Sequence, residues 1–238
     1  MHKRIYLLNE NFFDKWASKM AYVLGFWVAD GYMRHEKSYR ILFNSSDYDL
    51  LINIRECMGS THPVCLKKKS RKATLPEYEL AIFSKHMYSQ LEKLGGMRRK
   101  SKSITVPIMS SEYFPDFVRG YFDGDGSVFY TTYRSTKNKK MRTELRSNFT
   151  SGNPKFLEVL QTALVDILGV SRKKICPFNE GASWKLGYAT IDTVKLLRFM
   201  YYPNYPIGLK RKASFAENIF KRKALICRGV RTRFVEAI

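Results

Sequence analysis

The chain has 238 residues, enough for one large domain or two small ones with a proper core, and its 42 Lys and Arg against 21 Asp and Glu give a formal charge of +21. Residues 1–110 hold 19 basic and 10 acidic side chains, leaving 23 and 11 for the rest. Both halves are therefore basic, as expected if each meets the same polyanion, with a ribosomal or membrane-surface protein as the plainer alternative. The longest apolar stretch, residues 20–29, is far shorter than the roughly 20 residues a bilayer needs, which excludes a membrane-spanning helix.

In chain order, residues 11–30 read as an amphipathic helix, or two abutting ones with Ser18 as N-cap. Residues 31–46 read as a hairpin turning at Glu36-Lys37-Ser38, which sets Arg34 and Arg40 on one outward face. Leu50, Leu51 and Ile54 have helical spacing between an Asp47 cap and Gly59. A second hairpin pairs residues 63–69 with 77–83, its tip basic with Lys67, Lys68, Lys69, Arg71 and Lys72, and a helix over 85–94 ends at Gly95-Gly96. Residues 103–111, with Pro107, read as a linker between an N-terminal half (1–102) and a C-terminal half (112–226), with a basic tail at 227–238.

The second half repeats the order. A longer hairpin runs over 127–134 and 142–150, with Lys137, Lys139 and Lys140 at its turn. A helix from Pro154 is ended by Gly169, strands follow at 172–178 and 183–189, and a helix covers 192–200. Helix, two strands, helix, two strands, helix, twice over, is an α+β duplication too long in period for a solenoid. Each half offers a four-stranded antiparallel sheet with helices on one face, leaving the other free.

Each repeat opens on a similar segment: Tyr22-Val-Leu-Gly-Phe-Trp-Val-Ala-Asp-Gly31 and Phe117-Val-Arg-Gly-Tyr-Phe-Asp-Gly-Asp-Gly126. Gly25 with Ala29, and Gly120 with Gly124, put small residues four apart on one helix face, so the two helices can approach closely. Gly31 and Gly126 fit left-handed caps. That leaves Asp30 and Asp125 in the last turns, at the negative ends of the helix dipoles, where anions are unfavourable and cations are favoured. Two such acids side by side suit a shared divalent cation. One Asp-Gly alone is an ordinary turn signal.

The paired segments resemble the motifs of the LAGLIDADG homing endonucleases in their single-chain form, over about residues 12–222. The resemblance implies a pseudo-twofold molecule of two αββαββα units with the motif helices packed at its centre and the two sheets forming a DNA-binding saddle. It implies that Asp30 and Asp125, the eighth motif residues, bind the catalytic metals, magnesium ions, for which calcium or manganese can substitute. The sixth motif position is Val28 in one copy and Asp123 in the other, so the first copy departs from the consensus there. Two metals shared between Asp30 and Asp125 would act in two-metal fashion, with the backbone carbonyls of Ala29 and Gly124 as neighbouring ligands. Lys100 and Lys210 fall where the family carries its active-site lysine, with simple phosphate anchoring as the alternative for each, and Asp47 and Asn153 match its water-organising polar residue, though helix capping explains those two as well. Arg34, Arg40, Lys67, Lys69, Arg71, Arg134, Lys139, Arg142, Arg146, Lys174 and Lys185 are the candidates for contacting DNA across the saddle.

The activity so implied is metal-dependent cleavage of both strands of a long, asymmetric DNA target, leaving 3′ overhangs, by a monomer. An RNA maturase acting on a host intron and a cleavage-inactive DNA-binding protein are the alternatives. The four cysteines form no C-x-x-C pair and no zinc-like spacing with the four histidines, which reads as free thiols in a reducing compartment, bacterial, phage or organellar. No signal peptide is expected, and the absence of a terminal Cys or Ser and of His-Asn reads as a free-standing protein rather than an intein. Asp123-Gly-Asp-Gly-Ser-Val begins like an EF-hand loop but lacks its sixth-position glycine and terminal Glu.

Overall fold

The computed structural model describes residues 5–68, 75–96, 104–136 and 138–227, and side chains as far as residue 221. After a 3-10 turn at Glu10–Phe13, the first half runs α1 (Ser18–Asp30), β1 (Gly31–His35), β2 (Tyr39–Ser45), α2 (Tyr48–Cys57), β3 (Val64–Leu66), β4 (Tyr78–Phe83) and α3 (Lys85–Lys93). The second half runs α4 (Phe114–Asp125), β5 (Gly126–Arg134), β6 (Met141–Ser151), α5 (Pro154–Leu168), β7 (Cys176–Phe178), β8 (Ser183–Tyr188) and α6 (Thr190–Met200), and adds α7 (Lys210–Cys227). This is the expected duplication with one helix more, so the second unit is αββαββα plus α7.

Each half forms a four-stranded antiparallel sheet, in the orders β1-β2-β4-β3 and β5-β6-β8-β7. Strand residues alternate faces. Met33, Ile41, Phe43, Leu80 and Ile82 turn one face of the first sheet into the core, and Leu145, Phe149 and Leu186 do so in the second.

Helices α1 and α4 cross at the centre, and their glycines set how closely. A Cβ on Gly25 would stand 2.1 Å from the Phe117 carbonyl oxygen, and one on Gly120 would stand 2.0 Å from the Tyr22 carbonyl oxygen. The relation is reciprocal, backbone against backbone, as the small-residue spacing predicted. Nearly every side chain of α1 from Met20 to Val28 is consequently buried.

The caps differ from expectation. Gly31 (φ −96°) and Gly126 (φ −101°) are extended, because each helix runs straight into a strand without a turn. Glycine is needed there for space instead: a Cβ at Gly31 would lie 2.1 Å from Trp27 Cδ1, and one at Gly126 2.2 Å from Phe122 Cδ2. Ser18 is the first helical residue and Ala17 the cap, with no side-chain bond. Gly169, at φ +57°, is the left-handed stop expected of it. Among the described residues no helix is long and apolar enough to cross a membrane.

Candidate functional site

Because α1 and α4 are locked by their glycines, their C-terminal tips emerge together. Ideal Cβ geometry at Gly124 places that position 2.4 Å from Ala29 Cβ and 3.0 Å from Asp30 Oδ2, so the Asp30 carboxylate lies against the last turn of the other helix. Asp30 and Asp125 are both half-buried, and both act on the same two neighbours. Burial raises the Tyr121 hydroxyl well above its ordinary value, and the charges of Asp125 and Asp30 push it the same way. Burial lowers the Lys212 ammonium to about 8, against the charges of Asp123, Asp30 and Asp125 that hold it up. Asp30 lines one groove with Asn44, Ser45, Asp47, Glu77, Gly124 and Arg211, and Asp125 follows Gly124 directly.

Lys212, on α7, is the residue that sequence reasoning passed over. It is 4% exposed, and its Nζ donates to the carbonyl oxygens of Phe122, of Asp123 (3.0 Å) and of Gly126 (2.6 Å). Three acceptors match the three hydrogens of an ammonium. It also sits 4.8 Å from the centroid of the Phe122 ring. A cation is what the negative end of a helix dipole favours, so the protein itself supplies part of the positive charge at the tip of α4. Lys210, the candidate active-site lysine, faces solvent beside the groove. Its Nζ lies 3.2 Å from Asp49 Oδ2 on α2, with most of the side chain in solvent.

Asp123, the sixth motif residue, is buried and anchors this arrangement. Its carboxylate accepts from Tyr22 Oη of α1 (2.8 Å), Tyr201 Oη (2.6 Å) and the Leu209 amide (2.7 Å). Burial pushes its carboxyl up, while Lys212 and these hydrogen bonds pull it back. The Leu209 contact fixes the chain three residues before Lys212. Arg119, wholly buried, is structural: it pairs with Asp116 (2.5 Å) and donates to the carbonyls of Met200 (2.7 Å) and Ile207 (2.8 Å).

The two polar candidates part company. Asp47 makes no capping bond on α2; its carboxylate lies 3.6 Å from Arg211 and lines the groove with Asp30. Asn153 is a cap: Oδ1 accepts from the Lys155 amide at 3.1 Å and Nδ2 donates to the Ile104 carbonyl at 2.9 Å. Its side chain holds a helix start and the linker, which the family's water-organising role would not explain. Lys100, Lys69 and Arg71 lie outside the described residues.

Strand register sorts the basic candidates. Arg34 faces Arg40 across β1–β2, and Lys67, whose amide bonds to the Glu77 carbonyl, continues β3 on the same helix-free face. Arg142 and Arg146 on β6 and Lys185 on β8 share the corresponding face of the second sheet. Arg134 does not: it has the parity of Val128 and Tyr130, which pack on the core, and its Nε donates to the Lys139 carbonyl at 2.9 Å. Lys139 lies in the hairpin turn and Lys174 just before β7. Acids on or beside these faces hold several of the bases: Glu77 on Lys67 at 3.1 Å, Glu144 on Arg146 at 2.9 Å, and Glu36, in the β1–β2 turn, near Arg40 at 3.8 Å.

No protein-family model matches the chain. A curated relative, the replication factor C small subunit of Methanocaldococcus jannaschii, is 28% identical over 146 residues, 60% of this chain but only 8% of that protein. Solved structures with the same arrangement include the I-LtrWI LAGLIDADG homing endonuclease bound to target DNA, at 13% identity over 92% of each chain with a TM-score of 0.58. The meganuclease I-AabMI bound to uncleaved DNA is 15% identical over 87% of this chain and 91% of its own, TM-score 0.57. I-SmaMI bound to an uncleaved DNA target with calcium ions is 13% identical over 91% and 97%, TM-score 0.56. The chain has the fold of the single-chain LAGLIDADG homing endonucleases.

Proposed function

We propose that this chain is a site-specific endonuclease that cuts both strands of duplex DNA with a divalent cation held between Asp30 and Asp125. The observation that carries the reading is that Asp30 Oδ2 stands 3.0 Å from the Cβ position of Gly124, the residue beside Asp125, where the two motif helices run into two sheets whose free faces are basic. The likeness to endonucleases solved on DNA, one with calcium ions, supports it.

The residues present fit such an ion. Among the described residues no cluster of three or more His, Cys, Asp and Glu side chains forms a closed cage. Two carboxylates, with the backbone carbonyls of the residues preceding each, Ala29 and Gly124, would instead give a hard, open oxygen set, which suits magnesium because it keeps several waters and takes substrate phosphate oxygens as ligands. When bound, the cation supplies Lewis acidity to the phosphate and lowers the pKa of its water. The protein's own groups hold the frame. Lys212 fixes the carbonyls of Asp123 and Gly126, on either side of Gly124-Asp125, and adds positive charge where phosphate charge builds up. Asp47 and Arg211 order the groove wall, and Lys210, exposed beside it, is placed for phosphate anchoring rather than chemistry. Two unlike halves in one chain suit an asymmetric target read by a monomer. The staggered ends and an intron or mobile-insert origin belong to the same proposal, whereas neither the site nor the comparisons favour an RNA partner.

Selecting cleaved sites from a random duplex library with magnesium tests activity and specificity together. Asp30→Asn and Asp125→Asn should each lower cleavage by about 100- to 1000-fold, the size of effect seen when a group stabilising transition-state charge is lost, with DNA affinity nearly unchanged. Variants that still cut at the parental rate would refute the assignment.

A further inference from the structure

The free face of the second sheet differs chemically from that of the first. On the β5–β6 ribbon, register pairs Phe129 with Arg146, Thr131 with Glu144 and Tyr133 with Arg142, all on the helix-free side. One strand is therefore a rail of apolar groups and the other a rail of charges. Phe129 is 40% and Tyr133 41% exposed, large rings kept in solvent beside a polar strand. Among the described residues the first sheet's free face has one exposed ring, Phe83 on β4, and it stacks on His62. The β1 aromatic, Tyr32, is tied by its hydroxyl to Glu79 at 2.6 Å and covered by Arg34, 5.1 Å above the ring.

We propose that Phe129, Thr131 and Tyr133 read thymine methyl groups in the major groove, so that the second half selects a thymine-rich half-site. The inference rests on the DNA reading above and adds what that half recognises. A two-stranded ribbon fits the major groove, where the thymine C5-methyl is the only apolar feature and is met by Phe and by the methyl of Thr. Same-face residues on a strand are about 6.8 Å apart, twice its rise per residue, and bases on one DNA strand about 3.4 Å apart. Each step along the rail therefore spans about two base pairs. The opposite rail supplies charge complementarity: Arg142 and Arg146 meet phosphates, with Glu144 holding Arg146 through both Nε and Nη2 at 2.9 Å. RNA offers this rail nothing, since its pyrimidine lacks the methyl and its major groove is too deep and narrow for side chains.

The test begins with duplexes enriched by the full chain from a random library. Each thymine of an enriched duplex is then replaced by deoxyuridine, which removes only the methyl. Affinity should fall about fourfold per critical methyl, the factor for one buried carbon, at positions about two base pairs apart within one half-site. In Phe129→Ser one of those positions should become insensitive while the others remain, and Arg146→Gln should weaken thymine and deoxyuridine duplexes by the same factor. Full affinity, within about twofold, after deoxyuridine replaces every thymine of both half-sites overturns the inference and leaves the endonuclease reading intact. Failure to enrich any duplex overturns both.

Discussion

Lys212 is a cation in a place water barely reaches, and its protonation carries a measurable consequence. Burial lowers it from 10.5 to about 8, so the folded chain releases this proton before the unfolded chain does. Between about pH 8 and pH 10 the unfolded state binds more protons, and this group's contribution to stability rises with pH. Above pH 10 the buried hydroxyls of Tyr22, Tyr121 and Tyr201, all raised by burial, reverse the trend. In urea titrations at pH 7.5 and 9.5, the parent should gain on Lys212→Met by at most about 1.4 kcal/mol per pH unit. A gap that does not change with pH would mean that Lys212 is solvated. This lysine was not legible in Gly208-Leu-Lys-Arg-Lys212, because successive residues on a helix point about 100° apart and only the helix decides which one faces inward. With α7 unforeseen, Lys210 and Lys212 could not be told apart. Asp123 was legible as a motif position, but not as an acceptor for three donors from three segments, since those partners lie 101, 78 and 86 residues away.

At the scale of elements, the crossing of α1 and α4 depends on two hydrogens where other residues carry a methyl. Gly25→Ala or Gly120→Ala would push a Cβ to 2.1 or 2.0 Å from a backbone carbonyl of the other helix. Backbone cannot step aside as a flexible side chain can, so each should destabilise the fold by about 3 kcal/mol, the upper end of overpacking costs. Gly187→Ala, with nothing nearer than 4.0 Å, serves as a control that should change little. Denaturant midpoints that put Gly120→Ala level with Gly187→Ala would mean that the helices are not in backbone contact. The paired motifs and their small residues made this crossing readable in advance, as alternation and turn residues did for the strands. The caps were misread because an Asp-Gly at a helix end signals a left-handed stop only when a turn follows. Here a strand follows at once, and the glycine is required by Trp27 and Phe122 instead. Helix α7 was missed because its sequence opens with Lys-Arg-Lys, the wrong charge for a helix N-terminus. That cluster is explained by what it touches, Asp49, Asp47 and the tip of α4.

For the whole molecule, +21 is a statement about long-range field rather than fold, and topology turns it into a surface. Strand order and register bring Arg34, Arg40, Lys67, Arg142, Arg146 and Lys185 onto two helix-free faces, a sorting that composition could not make and that removes Arg134 from the set. Several of these bases already lean on Glu36, Glu77 and Glu144. Those exposed pairs are worth little in water, so a phosphate can replace the carboxylate at small cost, while the pairing holds each long side chain ready. Six bases each neutralising a phosphate release counterions in proportion, which sets a slope of about −5 for log affinity against log salt. Titrating a fixed enriched duplex between 50 and 200 mM salt should therefore weaken binding by about 1000-fold. A slope shallower than about −2 would mean that the two faces do not lie along the phosphates together. Removing one base from each sheet, Arg34→Gln with Arg146→Gln, should flatten the slope by about two, one phosphate per residue. If only one of the two substitutions changed it, a single sheet would hold the duplex, and the pseudo-twofold saddle would be a feature of the fold without being one of the complex.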